Sequence, residues 1–232
     1  ADNLEYISAE RIQAELVKLV VSAHPEKIMT AYEAGITRVI LPELDRAVQT
    51  EQNNPHHRLS VGGHLIESMC MIEPEKALRL TMLLHDIGKP LVKSTDEEGR
   101  DHFYGHGDVS AELARGILRR LKFDNDTVGK VTKLIAFHDY RPDLNERVVR
   151  RMLNKVGKEL FPCVIKVQRA DIAAQSSYRR DEKEAHICSM EKLAEKIFAE
   201  NQCVCLKDLS VSGRDLIHDG MKPGKEIGEV LD

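Results

Sequence analysis

Ala77-Leu78-Arg79-Leu80-Thr81-Met82-Leu83-Leu84-His85-Asp86-Ile87-Gly88-Lys89 is the stretch on which the reading of this chain turns. Ala77, Leu80, Thr81, Leu84 and His85 recur at helical spacing. That periodicity predicts a buried helix which stops at Gly88 and whose C-terminal turn presents His85 and Asp86 to the interior. An ionised carboxylate in an apolar setting must find a counter-charge, hydrogen bonds or a metal. A histidine and an aspartate side by side at the end of such a helix therefore suggest a metal site, and the other ligands must come from elsewhere in the chain.

Working outward, the flanking segments also read as helices. Towards the N-terminus, Ser8 reads as an N-cap, with Ile7 and Ile12 as a hydrophobic staple, for a helix carrying Leu16, Leu19 and Val20. Pro25 and Gly35 bracket a second helix, and Pro42 opens a third. Ser60 reads as the cap of a helix carrying His64, and the polar run from Gln49 to Leu59 reads as a boundary or a site loop. Towards the C-terminus, Lys93 to Gly105 reads as a hairpin-like excursion, followed by helices starting at Asp108 and near Asp124. Val128, Val131, Ile135 and His138 share one face of the latter.

Two further helices carry Val149, Met152, Leu153 and Val156, and then Val164, Val167, Asp171 and Ala174. Asp171 thus points inward, a second buried acid. A long helix with Ile187, Met190, Ala194 and Ile197 follows. Cys203 to Leu206 then reads as a short extended piece before a Gly-punctuated tail. Nearly everything periodic is helical, so the expected fold class is all-α.

Composition narrows the function. The 232 residues carry 34 basic and 38 acidic side chains, a net charge of −4 that argues against binding nucleic acid through gross positive charge. The charge is uneven, however: residues 111–170 are net +7, which leaves −11 elsewhere. A basic segment of that kind can meet phosphates or form a solvated helix face. Five cysteines, odd in number and without a C-x-x-C pair, fit a reducing cytosol. No apolar run is long enough to span a bilayer and no secretory signal is visible, so the expected location is cytoplasmic. The chain begins at Ala1 without methionine and with helix-start signals almost at once, which suggests a piece of a longer protein.

His64, His85, Asp86, His106, His138 and Asp171 stand out, each at a helix end or on an apolar helix face. Singly, each histidine is explained as a hydrogen-bonded core residue. Together, imidazoles with two carboxylates suit Mn, Fe, Co, Ni or Zn, whereas an all-oxygen set would point to Mg or Ca.

This H…HD…H…H…D pattern, with His85-Asp86-Ile87-Gly88-Lys89 as its most specific piece, resembles the HD-domain superfamily of metal-dependent phosphohydrolases. The resemblance implies that His64, His85, Asp86 and Asp171 form the core metal set. It implies that His106 and His138 belong to members holding two metals, with Asp86 bridging. On either side the resemblance narrows. Ser8-Ala9-Glu10-Arg11-Ile12 with the helices to Leu44, the stretch HFYGHGDVSAELA (102–114) and DLSVSGRDLIHDGMKPGKEIGEVL (208–231) are similar to bacterial poly(A) polymerases and CCA-adding tRNA nucleotidyltransferases. By that likeness the chain divides into an RNA-binding-like helical neck (1–50), an HD helical bundle (51–180) and a C-terminal helix and tail (181–232). The family's catalytic head, a Gly-Ser loop and paired aspartates on a β-sheet, has no counterpart here. Leu65 stands where a small hydroxyl residue usually follows the first histidine.

The resulting expectation is a metal-dependent phosphohydrolase acting on nucleotides or on RNA 3′-terminal or 2′,3′-cyclic phosphates, with one or two divalent ions, transition metals or Mg. Metal-bound water would be the nucleophile. Asp86 and Lys89 would be catalytic, and His57, Lys89, His102 and Ser110 would contact substrate, with His56 a weaker candidate. The alternative is a non-hydrolytic, tRNA-binding body of a nucleotidyltransferase, with Arg150, Arg151, Arg179 and Arg180 as RNA contacts and a head supplied from outside the chain.

Overall fold

A computed structural model describes residues 6–200 and 213–231. The expected extended piece at Cys203–Leu206 lies outside the described residues. The fold is all-α, with one two-stranded antiparallel ribbon among the described residues. It divides into two compact units, residues 1–141 with 159–187, and residues 142–158 with 188–232.

The first unit opens with α1 (Ala9–Val20), a 3₁₀ turn at Pro25–Lys27, α2 (Ile28–Glu33), α3 (Thr37–Ile40) and α4 (Pro42–Val48). Gly35 lies at φ +71°, the left-handed C-terminal stop its position predicts. Then come α5 (Val61–Cys70), α6 (Lys76–Leu84) and the short α7 (Lys89–Val92). Ser60 Oγ accepts from the Gly63 N–H, so the predicted cap of α5 is made.

The opening stretch lies at the centre of this unit. Every residue of α6 from Ala77 to Leu84 is buried, because α5, α9 and α11 all pack against it. A helix covered on all sides needs no polar face, which explains the nearly unbroken apolar run. Each such leucine contributes about 1.5–3 kcal/mol relative to exposure. The helix ends earlier than its periodicity suggests: His85 is its C-cap, and residues 85–88 form a turn before α7. Asp86 is therefore delivered by a turn, which frees its carboxylate from the helix face.

The predicted hairpin excursion is β1 (Ser94–Thr95) paired with β2 (Asp101–His102). Beyond it are α8 (His106–Arg120), α9 (Asn125–Phe137) and α11 (Phe161–Ala174). Helix α8 starts two residues before the expected Asp108, because Gly105 at φ +72° turns the chain into it. Asp124 caps α9 by accepting from the Thr127 N–H. The second unit contains α10 (Glu146–Val156), α13 (Gly213–His218) and α14 (Lys225–Leu231). Helix α12 (Arg180–Ala199) begins in the first unit and ends in the second, with the predicted Ile187, Met190, Ala194 and Ile197 all buried.

Candidate metal centre

Five helices converge on one buried point of the first unit. Helix α5 brings His64, the end of α6 brings His85, and the turn after it brings Asp86. His106 is the first residue of α8, His138 caps the C-terminus of α9, and α11 carries Asp171. His64, His85, Asp86, His138 and Asp171 are each at most 3% exposed. The close approach of α8 depends on Gly88, where a Cβ would lie 2.7 Å from the Ser110 nitrogen. Ser110 Oγ accepts from the Gly88 N–H at 2.9 Å, fastening the histidine–aspartate turn to α8.

The six side chains form two facing groups that share Asp86. On one side His64 Nε2 lies 3.2 Å from His85 Nε2 and 2.9 Å from Asp171 Oδ1, with Asp86 Oδ2 at 3.6 and 3.4 Å from the two imidazoles. On the other, His106 Nε2 and His138 Nε2 are 3.2 Å apart and lie 3.2 and 3.5 Å from Asp86 Oδ1.

The tautomers follow from the backbone. Nδ1 of His85 is 2.9 Å from the Met82 carbonyl, that of His106 is 2.8 Å from Phe103 O, and that of His138 is 2.6 Å from Ile135 O. A carbonyl can only accept, so each Nδ1 carries the proton and each Nε2 turns a lone pair inward. Asp86 Oδ1, facing two of those lone pairs, is buried without a hydrogen-bond partner among the described residues. Converging lone pairs and an unsatisfied carboxylate oxygen repel one another unless a cation lies between them. His64, His85 and Asp86, and again Asp86, His106 and His138, present ligand atoms close enough to hold a metal ion.

Burial by itself would raise the Asp86 carboxyl, but the Lys89 ammonium beside it opposes this, and the group is held well below the usual carboxylate range. Asp171 is likewise held low, since burial, which would raise it, is outweighed by the contact with His64. Lys89 is 4% exposed, and its Nζ lies 2.6 Å from Asp86 Oδ2, 2.9 Å from Gln52 Oε1 and 3.2 Å from His57 Nε2. Burial first, and Lys89 second, depress His57 to about 2, so it is neutral.

A cavity of about 890 Å³ opens onto this cluster. Lys89, His56, His57 and His102 line it, but Ser110 does not: its hydroxyl is spent on Gly88. His102 pairs with Asp96 at 2.7 Å and stacks on the exposed Tyr104. Three contributors to the site do not stand out in the sequence. Gln175 donates from Nε2 to Asp171 Oδ2 at 2.8 Å and accepts from Lys183 Nζ at 2.5 Å, and Gln52 holds Lys89. Gln175 stands four residues after Asp171 on the same face, a spacing that was readable. Gln52 and Lys183 carry no local signal.

The fold and the cluster define an all-helical, metal-capable bundle, and comparison with known proteins narrows this. Residues 102–232 match the family described as "tRNA nucleotidyltransferase domain 2 putative", and residues 1–48 match "Probable RNA and SrmB- binding site of polymerase A". The chain belongs to the tRNA nucleotidyltransferase family through the first of these, which covers more than half of it. It is 30% identical, over its whole length and 54% of the relative, to the A-adding tRNA nucleotidyltransferase of Deinococcus radiodurans. It is 33% identical to the CC-adding tRNA nucleotidyltransferase of Thermus thermophilus over 74% of the chain and 41% of that protein. With the multifunctional CCA protein of an Azoarcus species, identity is 32% over 51% of the chain and 29% of that protein. The chain thus spans about half the length, or less, of the curated relatives it matches.

These matches overturn the leading expectation of a phosphohydrolase acting on nucleotides or RNA 3′ phosphates, and with it the description of the chain as a hydrolase. The reason is physical. A ligand set reports that a cation fits, not which reaction, if any, is run beside it. Among the described residues, no helix is long and apolar enough to cross a membrane.

Proposed function

We propose that this chain is the tRNA-holding body of a tRNA nucleotidyltransferase, with an N-terminal neck over about residues 1–50 and a helical bundle that keeps a divalent metal. The observation that carries this reading is the family match over 102–232, supported by the match of 1–48 to an RNA-binding segment. Nucleotide addition would be performed by a head outside these 232 residues, since the chain spans about half of its relatives. A tRNA partner implies a cytoplasmic setting.

In this reading His64, His85, Asp86 and Asp171 hold one ion, and His106 and His138, with Asp86 shared, hold a second. This arrangement resembles the HD superfamily in its ligands. The mixed imidazole and carboxylate donors favour Mn, Fe, Co, Ni or Zn over Mg. The ion would neutralise two buried carboxylates and tie five helices together. Lys89, His57 and His102 would contact an RNA end or nucleotide entering the cavity.

Fluorescence anisotropy with labelled tRNA, run on the purified chain at several salt concentrations, tests the reading. Binding of tRNA that weakens steeply with salt is expected. Equal affinity for tRNA and an unrelated polyanion such as heparin, or no binding, overturns it.

A further inference from the structure

Helix α10 packs through Val149, Met152, Leu153 and Val156, all at most 2% exposed. Arg147, Arg151 and Lys155 are exposed and follow one another at intervals of four residues. At about 100° per residue the three fall within an arc of roughly 80° opposite the buried face. The one acid of the helix, Glu146, sits in its first turn and pairs with Lys196 at 2.5 Å. None of the three cations has a hydrogen bond or ion pair with a described residue. Several helical cations elsewhere are spent on ion pairs: Arg115 pairs with Glu112, Lys130 with Asp126 and Lys166 with Glu73. Three like charges on successive turns repel one another and gain nothing from the fold.

Four residues of helix advance about 6 Å, close to the step between neighbouring phosphates of a nucleic-acid strand. We propose that the exposed face of α10 tracks the backbone of a tRNA strand, Arg147, Arg151 and Lys155 each meeting one phosphate. The proposal rests on the tRNA-holding role above and assigns it a surface. Phosphate contacts of this kind set position and affinity and carry no base preference. Lysine serves at such a contact as a point charge, so arginine and lysine can alternate along the stripe.

The test compares wild type with Arg147→Ala/Arg151→Ala/Lys155→Ala in the full chain, reading tRNA anisotropy from low to high salt. Removing three phosphate contacts is expected to lower the slope of log K against log salt by roughly 2 to 3 and to weaken binding on the order of a hundredfold near 0.15 M salt. Arg147→Lys/Arg151→Lys keeps wild-type slope and affinity within a few-fold. The pair Arg58→Ala/Lys76→Ala, whose cations are bound to Glu67 and Asp124, controls for net charge. An unchanged melting midpoint and helical circular dichroism establish that the triple variant is folded. If it is not, Arg151→Ala alone must lower the slope by about 1.

A triple variant that binds tRNA with wild-type slope overturns the α10 assignment and leaves the tRNA-holding role standing. The α10 assignment also falls if the control pair loses as much per charge removed, or if the triple variant loses binding to polyglutamate but not to tRNA. Absence of tRNA binding by the wild-type chain overturns both.

Discussion

Lys89→Met separates the two cations that can answer Asp86. The lysine Nζ is 2.6 Å from Asp86 Oδ2, with both side chains at most 5% exposed. Removing one member of a buried pair costs about 3–5 kcal/mol, because the surviving charge has neither water nor a counter-ion. Gln52 Oε1 and His57 Nε2 lose their donor as well, at about 1 kcal/mol each. Taking the pair alone, and about 2–4 °C per kcal/mol for a chain of this size, the variant in EDTA is expected to melt about 6–20 °C below wild type. A divalent ion at the cluster restores positive charge beside the same carboxylate, now without a competing ammonium. Metal should therefore raise the midpoint of the variant more than that of wild type, since a ligand that binds only the folded state stabilises it by RT ln(1 + [L]/Kd). The assay is thermal unfolding by circular dichroism in EDTA and then with titrated Mn, Ni or Zn. A metal-induced shift in the variant no larger than in wild type would refute the assignment of Asp86 as a metal ligand.

Three other outcomes are expected. His106→Ala should reduce bound transition metal, measured by elemental analysis, from two ions towards one, while Asp86→Asn should remove both because the carboxylate is shared. Gly88→Ala should destabilise the chain by about 1–3 kcal/mol in urea unfolding, since the new methyl meets the Ser110 backbone at 2.7 Å; an unaltered midpoint would contradict that packing. Asp101 is held at about 2: burial would raise it, but Lys93, the Asn53 amide and the Thr95 hydroxyl prevail. A carboxyl depressed from 3.8 contributes stability that is present above about pH 4 and lost as pH falls towards 2, so Asp101→Asn should flatten the acid limb of a melting-temperature profile.

The residues of the buried cluster were legible because each broke a local rule. Asp86 is an acid that closes an apolar run, Asp171 is one on an apolar helix face, and His64 and His138 sit where the helical period calls for a hydrophobe. The end of α6 was less legible. The helical period runs on through His85, yet the helix stops at Leu84, because the close contact of Gly88 with Ser110 bends the chain, a long-range constraint with no local trace. The role of Gln52 was hidden for the same reason, since it lies 37 residues from Lys89.

Periodicity, caps and breakers in the sequence determined an all-helical chain and six inward-facing ligand candidates, because those signals act over one or two turns. Only the tertiary structure decided that the six meet in two groups about a shared aspartate, since that requires five helices separated by up to 107 residues to converge. Nor could sequence tell which surface cations are spent on ion pairs and which, like those of α10, remain available. Pairing depends on what the fold places opposite a side chain, and the fold places no described acid opposite Arg147, Arg151 or Lys155.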